Sequence, residues 1–409
     1  HDGGEHWDVI SPDLSRESPA VPPSVGVYRT AQMEEMARRG VIYALAPSPL
    51  DRNLLWAGTD DGLIHLSADL GGHWKDVTPG ALRAWDKVSQ LDAGHFDKGT
   101  AYAAINAIRR DDQRPHIYRT HDGGQSWQYI VNGLPANGPV NVVREDPRQP
   151  GLLFAGTERA VYFSIDDGAQ WHSLRLNMPA SSIRDLVVHD NDLVIGTHGR
   201  SIWILDDVSP LRELAAARRA GGAFLYTPSP AVRVRGNMFS DTPLPPEEPT
   251  GQNPPDGAIL DYHLAQDAAR VTLEIFDSED RLVRRYDSEV AAEPVAPSTL
   301  PHPTYWIHPA QQLGTEMGHH RFVWDLRYAP PRGVDRRFDI AAVIGETPVG
   351  PTGPWVAPGT YTVRLTAQGG VYERAISVLM DPRVEISAGD LAIHTRYVLQ
   401  TYEAYQRAY

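Results

Sequence analysis

Three carboxylates of this chain stand where an acid and a base could work together. Asp60 and Asp61 follow the apolar run Leu55–Thr59, and Glu158 follows the similar run Leu153–Thr157. Cleavage of a glycosidic bond needs two carboxyl groups about 5–10 Å apart, one of them kept protonated. Either aspartate could form such a pair with Glu158 if the two turns lie side by side. Because charged residues in tight turns are more often simply solvated, these three are weak catalytic candidates.

A second set of polar residues suits binding better than catalysis. Arginines, a tryptophan and a histidine occur at neighbouring turns, and such a mixture at one surface suits sugars or peptides. These candidates for a ligand or interface face are Trp85, Arg109, Arg159, Arg184, His198 and Arg200. The same turns carry Asp86, Lys87, Arg110, Asp111, Asp112 and Asp185. For Arg200, the alternative is an ion pair with Asp206 or Asp207 that only stabilises the fold.

A repeated sequence motif, Ser/Thr-x-Asp-x-Gly-x-x-Trp, indicates the strands and turns that position these residues. It spans Ser67–Trp74, Thr120–Trp127 and Ser164–Trp171, with a shortened copy at Asp2–Trp7. The aspartate can accept hydrogen bonds from amides of its own turn, the glycines tolerate positive φ, and the tryptophan can pack inward. We therefore expect structural roles for Asp2, Trp7, Asp69, Trp74, Asp122, Trp127, Asp166 and Trp171.

Each phrase, which we call a box, joins two strand-like runs, and a third apolar run ending in Gly-Thr precedes it. Leu55–Thr59, Leu153–Thr157 and Val194–Thr197 are the Gly-Thr runs. With one more strand before each, a unit has four short antiparallel strands. Units of this kind at a period of roughly 40–50 residues are typical of β-propeller blades. The sequence thus predicts an all-β fold that begins with propeller blades.

The two ends of this blade series leave open how the ring closes. The last unit lacks an outer strand after Ile204, and the first box lacks its leading hydroxyl residue. One possibility is that Trp7–Ile10 completes the last blade of a four-blade ring, since propellers commonly close with a strand from the other chain end. The other is that these blades form the C-terminal part of a larger ring of about seven. The interrupted box favours the larger ring.

The boxes resemble the Asp-box, or bacterial neuraminidase repeat, of sialidases, xyloglucan-cleaving glucanases and sortilin-type propellers. The phrases Ala57–Gly62, Phe154–Glu158 and Gly196–Asp207 are similar to large secreted bacterial proteins of sortilin-like type. The resemblance covers residues 1 to about 208 and implies a propeller without fixing an activity. In sialidases it also implies an Arg-Ile-Pro phrase, and none occurs in this chain. Sialidase activity is therefore not expected of it.

The resemblance also implies which face of the propeller carries a ligand. Boxes join the third and fourth strands of a blade, so they lie opposite the turns between the second and third strands. In the resembling enzymes the ligand lies on that second face. The weak catalytic candidates and the binding candidates all fall on it.

After Asp207 the pattern changes, and we expect further domains. The segment 209–257 contains a short helix and many prolines, which predicts a linker. Alternating runs over 258–384 predict a β-sandwich, and Phe322–Leu326 and Ala357–Leu365 resemble the immunoglobulin-like sandwich of the flagellar hook-capping protein. Residues 385–409 read as a helix capped by Ser387. The predicted domains are therefore 1–208, 209–257, 258–384 and 385–409.

Composition excludes several function classes. A net charge of −14 disfavours a nucleic-acid partner, and there is no apolar run long enough to span a membrane. His302, His308, His319 and His320 lack the spacing of a closed zinc site, so neither a metal nor a cofactor is predicted. The chain has no cysteine, which is compatible with a bacterial periplasm or cell surface.

Two functions remain open at this point. The favoured one is a secreted or periplasmic non-catalytic scaffold that binds a protein, peptide or glycan on a propeller face, as a subunit of a larger complex. The alternative is a part of a glycoside hydrolase whose catalytic carboxylates lie partly upstream. The first is favoured because folding of the blades accounts for the residues that stand out.

Overall fold

A computed structural model describes residues 3–234, 245, 247–248, 251–291, 295–307, 310–335, 337–338, 347 and 349–409. The chain forms two compact units, His1–Arg212 and Glu213–Tyr409. Both are built mainly from antiparallel sheets. None of the helices in these residues is long and apolar enough to cross a membrane.

The first unit consists of four successive antiparallel sheets, each ordered as its strands follow in the chain. Blade 1 contains β1 (Ile42–Pro47), β2 (Leu55–Thr59), β3 (Ile64–Ser67) and β4 (Lys75–Asp76). Blade 2 contains β5 (Lys87–Ala93), β6 (Ala101–Asn106), β7 (His116–Thr120) and β8 (Gln128–Tyr129). Blade 3 contains β9 (Val140–Glu145), β10 (Leu153–Thr157), β11 (Val161–Ser164) and β12 (His172–Ser173). Blade 4 contains β13 (Ser182–His189), β14 (Asp192–His198) and β15 (Ile202–Leu205). These are β-propeller blades, as the sequence predicts.

Neighbouring blades are held together by apolar side chains between their sheets. Val88 and Leu91 of β5 lie in one buried cluster with Trp56 of β2. Trp127 of blade 2 meets the Trp56 ring edge-on, with ring centroids 6.1 Å apart. The second strands of the first three blades are wholly buried. Their continuous apolar runs follow from that burial.

The three complete boxes fold in the same way. In the first, the Ser67 hydroxyl donates to Asp69 (3.0 Å) and accepts from the Gly71 amide (2.8 Å). The same carboxylate accepts from the His73 amide at 2.8 Å. The second and third boxes repeat these bonds around Asp122 and Asp166. The motif thus satisfies the polar groups of a tight turn between the third and fourth strands.

The box tryptophans differ in their burial. Trp171 is buried, Trp74 and Trp127 are half-buried, and Trp7 is 88% exposed. Trp7 repeats a local bond of Trp74, since each indole N–H donates to the glycine carbonyl three residues earlier (both 3.1 Å). Asp2 lies outside the described residues. An inward packing of every box tryptophan is therefore wrong for Trp7.

Residues 7–10 do not complete the last blade. They form no strand, and the Ile10 carbonyl accepts a hydrogen bond from the Trp74 indole, which places this segment on the first box. Blade 4 keeps three strands. The segment Trp7–Ile10 therefore does not close a four-blade ring, because it packs beside blade 1.

The second unit is a two-sheet sandwich. Its strands are β16 (Phe224–Leu225), β17 (Ala231–Arg233), β18 (Ala258–Leu264), β19 (Val271–Phe276), β20 (Leu282–Asp287), β21 (Gly318–Trp324), β22 (Arg337–Phe338), β23 (Val349–Gly350), β24 (Gly359–Ala367) and β25 (Gly370–Met380). The larger sheets have the orders β16-β18-β21 and β17-β25-β24-β19-β20. Inward side chains of both, such as Tyr262, Trp324 and Leu365, form one buried core.

The predicted linker 209–257 contributes to this sandwich. β16 pairs antiparallel with β18, and β17 pairs parallel with β25. The two strands are only two and three residues long, so they leave almost no periodic pattern in the sequence. Describing the whole segment as a linker is therefore incorrect.

The helices are short except at the C-terminus. They are α1 (Ala31–Glu35), α2 (Ser209–Arg219) and α3 (Ala388–Ala408), with 3₁₀ turns at Pro23–Tyr28, Ile108–Arg110, Pro297–Thr299 and Thr304–Trp306. Ser387 caps α3 by accepting the Asp390 amide at 3.1 Å. The Tyr402 hydroxyl donates to the Ala329 carbonyl at 2.9 Å, so α3 packs on its own unit.

Candidate functional site: a cleft between the first two blades

Three predicted residues meet at the turn after β2. The Arg109 guanidinium lies 2.7 Å from the Asp60 carboxylate, and its carbon lies 5.4 Å from the centre of the Trp85 ring. Asp60 also accepts the Val41 amide at 2.8 Å. The structure thus brings Asp60, Trp85 and Arg109 together, and their contacts hold the turn in place.

Asp61 is enclosed by the segment 11–39, which precedes blade 1. Its carboxylate accepts the Thr59 hydroxyl (2.5 Å) and the Arg16 amide (2.8 Å). The Arg16 guanidinium donates to the Asp61 carbonyl at 2.8 Å. Asp61 has no exposed surface. It therefore stabilises the segment and is not placed to meet a substrate.

Glu158 belongs to a separate polar network on blades 3 and 4. Its carboxylate accepts from the Asn141 amide at 3.0 Å and lies 3.2 Å from the Arg184 guanidinium. Burial alone would raise the pKa of Glu158, but hydrogen bonding and the nearby Arg184 charge hold that pKa below its ordinary value. A general acid needs the opposite shift. Glu158 is thus ionised and paired with Arg184.

The remaining binding candidates do not converge. His198 is the exposed last residue of β14, and Arg200 is exposed on the turn that follows, where the Thr197 hydroxyl accepts the Arg200 amide at 3.1 Å. Among the described residues, Arg200 forms no ion pair with Asp206 or Asp207. Arg159 contributes its carbonyl, which accepts the Ser181 amide at 3.1 Å. These three residues line neither of the two cavities described below.

A cleft of ≈ 520 Å³ lies between blades 1 and 2. One wall is the connection from β4 to β5, and the other is formed by the loop after β6 and the outer strands of blade 2. Its described lining residues are Ala81, Leu82, Arg83, Asp86, Ile105, Arg110, Asp112, Arg114, His116, Tyr118, Trp127 and Tyr129. The cleft has the size of small-ligand sites in proteins and combines aromatic rings with a few polar groups.

Each carboxylate of this cleft is matched by an arginine. Asp86 lies 2.6 Å from Arg110, and Asp112 lies 2.6 Å from Arg114. Hydrogen bonding by Arg114 holds the pKa of Asp112 well below its usual range, although burial opposes the shift. Arg83 donates its backbone amide to Asp86 at 2.7 Å. Both acids are therefore tied to cationic partners.

Tyr118, Trp127 and Tyr129 form an aromatic wall of the cleft, and contacts with neighbouring residues hold this wall in place. The Tyr129 hydroxyl donates to the Pro115 carbonyl at 2.6 Å and lies 3.2 Å from His116 Nδ1. His116 Nε2 lies 3.2 Å from the Asp112 carboxylate. The Tyr118 and Tyr129 rings pack with their centroids 5.3 Å apart. These contacts present flat apolar surface beside paired charges, an arrangement that suits binding.

The sequence predicts Asp86, Arg110 and Asp112 at the same turns as the binding candidates, but it does not indicate the aromatic wall formed by Tyr118, Trp127 and Tyr129. Tyr118, Trp127 and Tyr129 occupy strand and box positions, where a structural role explains them sufficiently. Tyr129 gives an indication of this wall, because it lies in the outer strand β8 and 49% of the residue is exposed. Spacing alone does not reveal that this ring faces a cleft.

The histidines of the second unit have structural contacts. His302 stacks on Trp306, with ring centroids 5.2 Å apart, and His319 lies 3.1 Å from Asp261. His320 Nε2 lies 2.6 Å from the Glu316 carbonyl. His308 lies outside the described residues. Across the described residues, no group of three or more His, Asp or Glu side chains is arranged to hold a metal ion.

Comparison with known proteins finds similarity among solved structures. No protein-family model and no curated protein matches the chain. YCF48 bound to D1 peptide is 18% identical, with a TM-score of 0.33, and the match covers 41% of this chain and 51% of that one. The GH74 xyloglucanase from Xanthomonas campestris is 14% identical, with a TM-score of 0.33 and coverage of 40% and 29%. An ancestral GH74 enzyme is 14% identical, with a TM-score of 0.33 and coverage of 82% and 40%.

These neighbours are β-propeller proteins. The chain spans about half or less of the length of each of the three.

Proposed function

We propose that the first unit is a non-catalytic binding module that holds an extended polar ligand, a peptide or a glycan, in the cleft between blades 1 and 2. The observation that carries this proposal is the combination of aromatic rings with carboxylates that are already paired. Flat rings stack on sugar or peptide surfaces, and the arginine–aspartate pairs offer fixed hydrogen-bonding groups.

The charge arrangement of the cleft supports binding over bond cleavage. Glycoside hydrolysis requires one carboxylic acid that stays protonated near neutral pH. Asp112 is shifted in the other direction by Arg114, and Asp86 is paired with Arg110 at 2.6 Å. Glu158 is shifted downward as well. No specific observation therefore favours the hydrolase alternative.

The test is a binding screen with a cleft variant. Extended peptides and cello-, xyloglucan and chitin oligosaccharides are measured by biolayer interferometry on the whole chain. For each ligand that binds, Tyr129→Ala should weaken affinity about tenfold, because it removes the exposed ring of the aromatic wall. Arg114→Gln should weaken it further if the ligand accepts hydrogen bonds there.

Tyr28→Ala is the matched control, since Tyr28 is also an exposed tyrosine of the first unit but does not line the cleft. Its affinity should equal that of the unaltered chain. Equal binding by Tyr129→Ala and Tyr28→Ala would place the ligand elsewhere. Reducing ends that accumulate from an oligosaccharide, and cease to do so in Glu158→Gln, would instead support hydrolysis.

The proposal includes membership of a larger assembly. Blade 1 exposes Tyr43 and Leu45 on one side of β1, and blade 4 exposes Ile202 and Ile204 of β15. Exposed apolar patches of this kind are typical of interaction surfaces. Residence in a bacterial periplasm or at a cell surface stays a prediction from the sequence.

A further inference from the structure

A second cavity, of ≈ 470 Å³, lies within the second unit between the sandwich and α3. Its floor is the segment 352–355, and its sides are Arg233 of β17 and the loop after β21 that carries Arg327. The helix closes the remaining side with His394, Thr395, Val398, Thr401, Tyr402 and Tyr405. We call this cavity the arginine pocket. The proposed function does not use it.

Two arginines of this pocket share one aromatic ring. The guanidinium carbon of Arg327 lies 3.7 Å from the centre of the Trp355 ring, and that of Arg233 lies 5.6 Å from it. Cation–π contacts of this kind hold a guanidinium in place without neutralising it. The Arg233 charge also lowers the pKa of Arg327, so the two positive charges lie near enough to repel each other.

Most guanidinium N–H groups of these two arginines donate no hydrogen bond to the described residues. Arg327 donates to the Gly353 carbonyl at 3.0 Å, and Arg233 donates to the Val356 carbonyl at 3.2 Å. A guanidinium has five N–H donors. Within the described residues, each of the two guanidinium groups makes that one hydrogen bond.

Among the described residues, no carboxylate forms an ion pair with either arginine, although Asp325 attracts the Arg327 charge from farther away. None of the described lining residues is Asp or Glu, and neither arginine has a carboxylate oxygen within 4.0 Å among the described residues. Asp325 accepts the backbone amide of Arg327 at 3.2 Å and not its guanidinium. Burial lowers the pKa of both arginines. Like charges that are partly desolvated and unpaired are stabilised by an anion.

We propose that the arginine pocket binds an organic anion whose carboxylate lies between Arg233 and Arg327. The flat or apolar body of the ligand packs on Trp355 and on the side of α3 that carries Val398 and Tyr402. Arginine suits this role because its planar fork matches the two oxygens of a carboxylate. The carboxylate belongs to a free small molecule or to the C-terminus of a peptide, and the test distinguishes these sources.

The experiment compares acids with neutral amides of the same shape. Calorimetric titrations of the whole chain use 4-hydroxyphenylacetate, 4-hydroxyphenylacetamide, the peptide Gly-Gly-Tyr and its C-terminal amide. At least one acid should bind tenfold or more tightly than its amide, and added salt should weaken that binding. Preference for the first acid identifies a small molecule, and preference for the peptide acid identifies a chain terminus. If the protein binds each acid no more tightly than the matching amide, the proposal is overturned.

Two variants tie the binding to the pocket. Arg327→Gln should weaken the acid about tenfold, and Thr401→Trp should block the acid by filling the pocket with no change of charge. Arg396→Gln is the matched control, because it removes one arginine from the same helix outside the pocket. Binding that persists in a folded Thr401→Trp variant would overturn the proposal even if Arg327→Gln failed to fold. Equal loss in Arg396→Gln would show a general charge effect and would also overturn it.

Discussion

The cleft between blades 1 and 2 and the arginine pocket are lined by the same kinds of residues but differ in charge balance. The cleft between blades 1 and 2 pairs Arg110 with Asp86 and Arg114 with Asp112. The arginine pocket contains Arg233 and Arg327 beside Trp355, with no carboxylate among its described lining residues. Aromatic rings line both cavities. The difference lies in what neutralises the guanidinium groups.

This contrast separates two uses of arginine. Where a carboxylate is present, the pair has a fixed geometry and offers hydrogen bonds with little net charge, which suits a neutral polar ligand. Where no carboxylate forms an ion pair with the guanidinium, the site keeps a positive charge that an anionic ligand can balance. Substitutions of single partners should therefore have opposite consequences in the two cavities.

The largest expected effect is on the stability of the first unit. Arg110→Met leaves Asp86 without its guanidinium partner, and the side chain of Asp86 is only 6% exposed. Removal of one partner of a buried ion pair costs about 3–5 kcal/mol in the free energy of unfolding. Urea denaturation followed by tryptophan fluorescence measures this loss.

The double variant Arg110→Met with Asp86→Leu is the control for this prediction. It removes both charges together, so most of the lost stability should return. If the single variant costs less than about 0.5 kcal/mol, a value typical of an exposed pair, then the charge pair does not organise the cleft.

A gain of function is the next effect in size. Asp112→Asn removes the carboxylate that lies 2.6 Å from Arg114 and so makes the cleft resemble the arginine pocket. An acidic peptide should then bind this cleft several-fold more tightly than it binds the unaltered chain. Calorimetric titration gives the ratio. Asp111→Asn in the same loop but outside the cleft is the control, and an equal gain there would point to net charge alone.

The blades and their turns could be predicted from sequence, because each is a local pattern. Ser67, Asp69 and Gly71 contact one another within one turn, and buried residues alternate along the single strand Gly359–Ala367. The cover on Asp61 could not be predicted, since Arg16 is 45 residues away along the chain. The arginine pocket joins β17, the loop after β21 and α3, and no short-range signal connects them. Long-range packing accounts for both omissions.

A smaller effect is expected for the stability of the second unit. Arg233→Met removes a guanidinium that has no carboxylate partner among the described residues, so no buried charge is left behind. It loses one hydrogen bond to Val356 and one contact with Trp355, but it also relieves repulsion by Arg327. The net change should stay below about 1 kcal/mol. A loss as large as that of Arg110→Met would mean that the two cavities do not differ in the way described.

The smallest effect is a difference in acid sensitivity. The pKa of Asp112 lies below its ordinary value of 3.8 in the folded chain, chiefly because Arg114 donates to it. Its contribution to stability is therefore complete above that ordinary value and is lost as the pH falls through the lowered pKa. Between about pH 4 and pH 2, the melting temperature of the unaltered chain should fall more steeply than that of Asp112→Asn. Arg233→Met should follow the unaltered chain, because no described carboxylate lines the arginine pocket. Parallel curves for the unaltered chain and Asp112→Asn would show that the Asp112–Arg114 pair is solvated and would remove the main contrast between the two cavities.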